Sequence, residues 1–145
     1  GVSNFDVEDL EEAAHALTRH PIACNQVLYH LGERTIEHRV MPYCLSKRIA
    51  IVAYSPFARQ DFVKPGSRGG RTLAQVAQAH GASPRQVALA FLTRNDDAFA
   101  IPKAVGKDHV RENAAAGDLV LTSDDVAEID AAFPLSRRSG VLPTA

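Results

Sequence analysis

Apolar residues along this chain come in short blocks, and most blocks are followed by a helix-like pattern. Val2 is the last apolar residue of a strand stub. Asp6 then caps a stretch in which Val7, Leu10, Ala14 and Leu17 recur at helical spacing. Pro21 separates this helix from a short strand over 22–28. Gly32 punctuates, and 35–47 reads as mostly helical, with Pro42 either kinking the helix or restarting it with proline in the first turn. Residues 49–54 (IAIVAY) are continuously apolar, the pattern of a strand buried on both faces, and Pro56 ends it. A loop follows over 58–70, with Pro65, Gly66, Gly69 and Gly70 and few apolar anchors; a loop of that length is usually functional or mobile.

Leu73, Val76, Ala77 and His80 line one helix, which Gly81 closes in the C′ position. Ser83, Pro84 and Gln86 make a capping box with proline at the first helical position, starting a helix that turns Val87, Ala90 and Phe91 inward. Residues 99–101 are the last strand, stopped by Pro102. Helices follow over 107–116 and 123–133, separated by Gly117, and the tail from Pro134, with Arg137, Arg138 and Gly140, is irregular.

No linker rich in Pro, Gly or Ser divides this order, so residues 1–145 read as one α/β domain. The apolar blocks end in polar tips at Ser3-Asn4, Asn25-Gln26, Tyr54-Ser55 and Lys103. In a parallel β/α barrel the loops after the strands gather at one rim, so four such units amount to half a barrel. The chain opens at Gly1, inside the first unit, and is expected to be a truncated or cleaved piece.

Composition narrows the class. With 46% hydrophobic and 23% charged residues the chain is globular, and 16 basic against 17 acidic residues give no sign of nucleic-acid or membrane partners. No apolar run approaches the roughly 18 residues of a membrane span, and the first residues given lack the basic and apolar regions of a signal peptide. Cys24 and Cys44 lack CxxC spacing and read as reduced core thiols of a cytoplasmic protein. The six histidines share no metal-ligand spacing, so no metal site is expected.

At the tips, Ser3, Asn4, Asn25, Gln26 and Ser55 form an amide-and-hydroxyl set able to read a planar carboxamide. Tyr54 offers a flat face for stacking. Lys103 and the helix N-terminus after Gly106 offer charge and N–H groups to a phosphate. Together these describe a nicotinamide dinucleotide pocket, and the absence of GxGxxG argues against a Rossmann domain. Taken singly, each tip residue is more often a turn or capping residue than a functional one.

Residues 1–5 (GVSNF), 25–30 (NQVLYH), 53–56 (AYSP), 101–103 (IPK) and Glu112-Asn113 occur in the order of the aldo-keto reductase family, which the chain resembles over nearly its whole length. The resemblance implies the second half of a (β/α)8 TIM barrel, from the tip of strand five to the C-terminal helices. It assigns Ser3, Asn4 and Gln26 to the nicotinamide carboxamide, Tyr54 to the ring and Ser55 to the pyrophosphate. Lys103 would meet the 2′-phosphate, and Glu112 and Asn113 the adenine. Ala104 and His109 stand where the family has a hydroxyl residue and an arginine, which weakens the phosphate grip. NADPH is the expected cofactor, with NADH as the alternative.

In that family hydride passes to an aldehyde or ketone, and a tyrosine beside a lysine protonates the oxygen. The catalytic Asp, Tyr, Lys and His belong to the first half of the barrel, so no catalytic residue is expected here. Tyr29 and His30 fall in the sixth-strand motif rather than the catalytic set. The implied activity is carbonyl reduction, with this chain supplying the cofactor half and inactive alone. The partner is the missing N-terminal half or a second copy. The alternative is a non-catalytic dinucleotide-binding or self-associating half-barrel.

Overall fold

A computed structural model describes residues 1–58, 62–136 and 142–144. Four strands form one parallel sheet in chain order: β1 (Val2–Ser3), β2 (Cys24–Leu28), β3 (Ala50–Tyr54) and β4 (Ala98–Ala100). The register pairs Ser3 with Gln26, Gln26 with Val52, and Val52 with Phe99. Parallel neighbours need crossovers, supplied here by α1 (Val7–Ala16), α2 (Val40–Ser46), and α3 (Arg68–Ala79) with α4 (Pro84–Leu92). After β4 come α5 (Lys107–Ala115) and α6 (Ser123–Ala132).

Local signals set the element ends. Asp6 and Asp9 form a reciprocal capping box on α1, as do Ser83 and Gln86 on α4 and Thr122 and Asp125 on α6. Gly81 takes φ +61° just past α3, the left-handed stop that glycine accepts without strain. The ambiguity at Pro42 resolves as a restart: a 3-10 turn over Thr35–His38 gives way to α2 with the proline in its first turn, where its missing N–H goes unused. α3 begins at Arg68 rather than after Gly70. A Cβ on Gly70 would lie 2.1 Å from the Lys64 carbonyl oxygen, so the glycine admits a close approach of loop to helix.

The central apolar strand is not buried on both faces. Along β2 and β3 burial alternates: Asn25, Val27, Ile51 and Ala53 are buried, while Cys24, Gln26, Leu28, Ala50, Val52 and Tyr54 are half-covered. The buried face packs on Leu10, Val40, Cys44, Leu73, Val87, Phe91 and Ile129, and six consecutive residues of α4, 87–92, are enclosed. On the other face Phe99 is 54% exposed, with Ile101 beyond it 48% exposed. α1 is anchored through Leu10; Ala14 and Leu17, which share its helical spacing, are exposed. Cys44 is buried and Cys24 is half-covered on the open face, both as free thiols. Among the described residues no helix is long and apolar enough to cross a membrane. In the tail, Arg137, Arg138 and Gly140 lie outside the described residues.

Candidate functional site

The tips of β1 to β4 lie in one row at the C-terminal edge of the sheet. Three steps of about 4.8 Å between strands make that row about 14 Å long. At its first end, Ser3 Oγ and Asn4 N both donate to the Gln26 carbonyl, at 3.0 and 2.8 Å, and tie the tip of β1 to β2. Asn4 takes φ +56°, a left-handed backbone that asparagine tolerates better than most residues. Its side-chain Oδ1 is enclosed and has no hydrogen-bond partner among the described residues. A buried acceptor of this kind calls for a donor, and an amide N–H fits it.

Asn25 and Gln26 divide their roles by strand parity. Asn25 is fully buried on the helix side, where its Nδ2 donates to the Phe5 carbonyl at 2.8 Å and its Oδ1 accepts from Phe5 N at 3.4 Å. That amide fastens the turn between β1 and α1 and leaves the tip set. Gln26 faces the open side, and its side chain makes no hydrogen bond among the described residues.

Tyr54 is paired in register with Leu28 on the same open side, and Ser55 follows it with φ +51°. For a serine that backbone costs of order 1 kcal/mol or more, and such residues cluster at ligand sites. Ser55 lines a cavity of about 450 Å³ with Leu28, His30, Phe57, Phe62 and Phe133. Burial holds the His30 imidazole below the usual histidine range, and its Nδ1 accepts from Gly32 N at 3.2 Å.

The far end of the row is a second cavity, of about 370 Å³. It brings together Lys103, Ala104, Gly106, His109, Glu112 and Asn113, with Phe57 as a wall shared with the first cavity. The residues expected to serve the adenosine end thus converge. Glu112 accepts a short hydrogen bond from Ser83 Oγ and lies 3.4 Å from His109 Nδ1. The serine bond, more than the histidine, holds its carboxyl below the usual range. Gly106 caps α5 without a side chain, leaving first-turn N–H groups open to a ligand. Three lining residues were given no role in the sequence: Phe57, Val105, and Arg85 in the first turn of α4. The only hint of Arg85 was its place inside the capping box.

Tyr29 is fully buried, donates to Glu37 at 2.6 Å and accepts from Arg94 at 2.8 Å, and desolvation pushes its hydroxyl well above the tyrosine range.

Comparison with known proteins adds the family. The methylglyoxal reductase YeaE of Escherichia coli is 38% identical over 134 residues, which are 92% of this chain and 47% of that protein. The glyoxal reductase of Bacillus subtilis is 31% identical, over 90% of this chain and 44% of its own length. The crystal structure of an aldo-keto reductase from Klebsiella pneumoniae in complex with NADPH matches with TM-score 0.87 and 36% identity, covering 100% of this chain and 51% of that one. The chain therefore spans about half the length of the relatives it matches. The sequence profile described as the aldo/keto reductase family matches residues 1–133, and the chain belongs to that family.

Proposed function

We propose that this chain is the cofactor-binding half of an NADPH-dependent aldo-keto reductase, running from the tip of strand five of a (β/α)8 barrel through its C-terminal helices. The observation that carries the reading is the order of the row. Carboxamide-reading groups stand at β1 and β2, an aromatic ring and a strained serine at β3, and a phosphate-and-adenosine cavity beyond β4. A dinucleotide laid along the tips meets these groups in its own chemical order.

In this reading Asn4 Oδ1 and the Gln26 amide hold the carboxamide with Ser3, and the Tyr54 ring lies against the nicotinamide. Ser55 holds the pyrophosphate. Lys103 and His109 take the 2′-phosphate, while Glu112 and Asn113 read the adenine. NADH is the weaker alternative. When bound, the nicotinamide supplies the hydride that reduces an aldehyde or ketone. The complexes of relatives with NADPH and NADP, and relatives named for methylglyoxal and glyoxal, support the cofactor and a small carbonyl substrate. The acid that protonates the carbonyl oxygen comes from outside this chain, in a cytoplasmic enzyme.

The half-covered sheet face, with Phe99 and Ile101 exposed, supports a barrel closed by further strands. It equally favours a second copy of the chain as the cover. Fluorescence titration of the 145-residue chain with NADPH is expected to give saturable binding without NADPH oxidation when methylglyoxal is added. A folded chain that shows no saturable binding would refute the cofactor reading. Sedimentation separates the two covers: a concentration-dependent dimer supports the second copy, and a persistent monomer rejects it.

A further inference from the structure

Among the described residues three arginines stack on aromatic rings, and one of them has no hydrogen bond from its guanidinium. Arg34 lies 4.9 Å and Arg94 4.0 Å from the Phe91 centroid, and both also bond to Glu37 and to backbone carbonyls. The Arg85 guanidinium sits 4.8 Å from the Phe57 centroid and 4.7 Å from that of Phe62, two rings packed edge-on at 5.5 Å. No hydrogen bond or ion pair among the described residues engages it. The two rings restrain the long side chain and leave its planar fork available. Much of the ordering cost of a bidentate contact to an anion is therefore already met.

The surroundings suit a phosphate. Arg85 lines the second cavity with Lys103, His109 and the uncapped start of α5. Glu112 is the one carboxylate among the described lining residues; its hydrogen bonds go to Ser83 and His109, and Arg85 acts on it only through its charge. His109 is a weaker and less permanent cation than a guanidinium, so the permanent charges facing this space are Lys103 and Arg85.

We propose that Arg85 is a specificity-determining residue: it grips the 2′-phosphate of the nucleotide from the α4 side while Lys103 grips it from the loop after β4. The proposal rests on the dinucleotide reading above and adds a residue and a discrimination to it. The lining residues named belong to this chain, and the test uses adenosine fragments.

The probes are 2′,5′-ADP and 5′-AMP, which differ by the 2′-phosphate, titrated calorimetrically into the unmodified chain, R85M and R85K. R85M keeps an apolar stem between the rings and removes the charge. It is expected to weaken 2′,5′-ADP roughly 10- to 100-fold while leaving 5′-AMP unchanged, the range typical of a lost charge-assisted contact. R85K should recover part of that loss. Equal loss of both ligands, or loss of neither, overturns the role of Arg85. If the unmodified chain binds neither nucleotide, the dinucleotide reading itself fails. Should R85M fold poorly by circular dichroism, the unmodified chain still decides. Its Arg85 Nε–H resonance, assigned by its loss in R85K, must shift as 2′,5′-ADP saturates, and an unmoved resonance overturns the proposal.

Discussion

The two faces of the sheet are written by alternate residues of the same strands, yet they are finished to different degrees. On the helix side the polar groups of one cluster bond densely to one another. The largely covered Glu37 carboxylate receives Arg34 Nε and Nη2 at 2.8 Å each, the Tyr29 hydroxyl at 2.6 Å and Arg94 Nη2 at 3.1 Å. Arg34 reaches on to Asp130 at 2.7 Å and to the Phe133 carbonyl at 2.7 Å, so the cluster bolts α6 to the turn after β2. On the open side the polar groups have fewer partners: among the described residues the Gln26 amide has no hydrogen bond, and at the tip beside it Asn4 Oδ1 is enclosed and unsatisfied. Polar groups bond densely where they hold the fold, and are left short of partners at the tip where the proposal places a ligand.

Breaking the finished side should cost most. Glu37→Ala strands two arginines and a tyrosine in a desolvated cluster, and about 3–5 kcal/mol of stability is expected to go, read by urea unfolding. Acid makes the same cut reversibly. Burial works to raise the Glu37 pKa, but the bonds from Arg34, Tyr29 and Arg94 outweigh it and leave the carboxyl below the ordinary Glu value. Its contribution is therefore complete above that ordinary value and lost as the pH falls through the lower folded value. Glu37→Gln should flatten that part of the stability-against-pH curve. A Glu37→Gln chain with the parent's acid limb would show that the cluster does not carry this linkage.

Adjacent residues of one strand sharpen the contrast. Asn25→Ala leaves the Phe5 amide and carbonyl without the side chain that clamps them, and a loss of about 1–3 kcal/mol is expected. Gln26→Ala, one position along, should change stability by no more than about 0.5 kcal/mol. Its cost should fall on NADPH affinity instead. Equal destabilisation by the two substitutions would dissolve the distinction between the faces.

What could be read from the sequence was local. Capping residues announce helix starts within three or four positions, and so Asp6, Ser83 and Gly81 mark real ends. The tip motifs sit on consecutive strands, so their convergence follows from parallel topology alone. Quantities set by the rest of the fold were misread. IAIVAY has the composition of a strand covered twice, whereas one of its faces is only half-covered in this chain. Gly69 and Gly70 read as loop residues because a close approach and a flexible turn call for the same amino acid. Nothing near Arg34 signalled Asp130, and nothing near Arg85 signalled Phe57, because those partners are neighbours only after folding.

The smallest perturbation reports on the two faces directly, through the two thiols. Cys44 lies under the helix face, where burial pushes its pKa up to about 11 despite an opposing bond from Asn25. Almost no thiolate exists there at neutral pH, and thiolate is the reactive form. Cys24 lies on the open face, half-covered. Iodoacetamide at neutral pH is therefore expected to alkylate Cys24 readily and Cys44 only as fast as the chain unfolds, with mass spectrometry locating each adduct. Comparable rates at both sites would mean that the helix face opens locally and is not the finished side. The same measurement tests the cover: Cys24 should lose reactivity when the remainder of a barrel, or a second copy, closes over the sheet. Cys44 should not notice, because its protection comes from α2 and the strand beneath it.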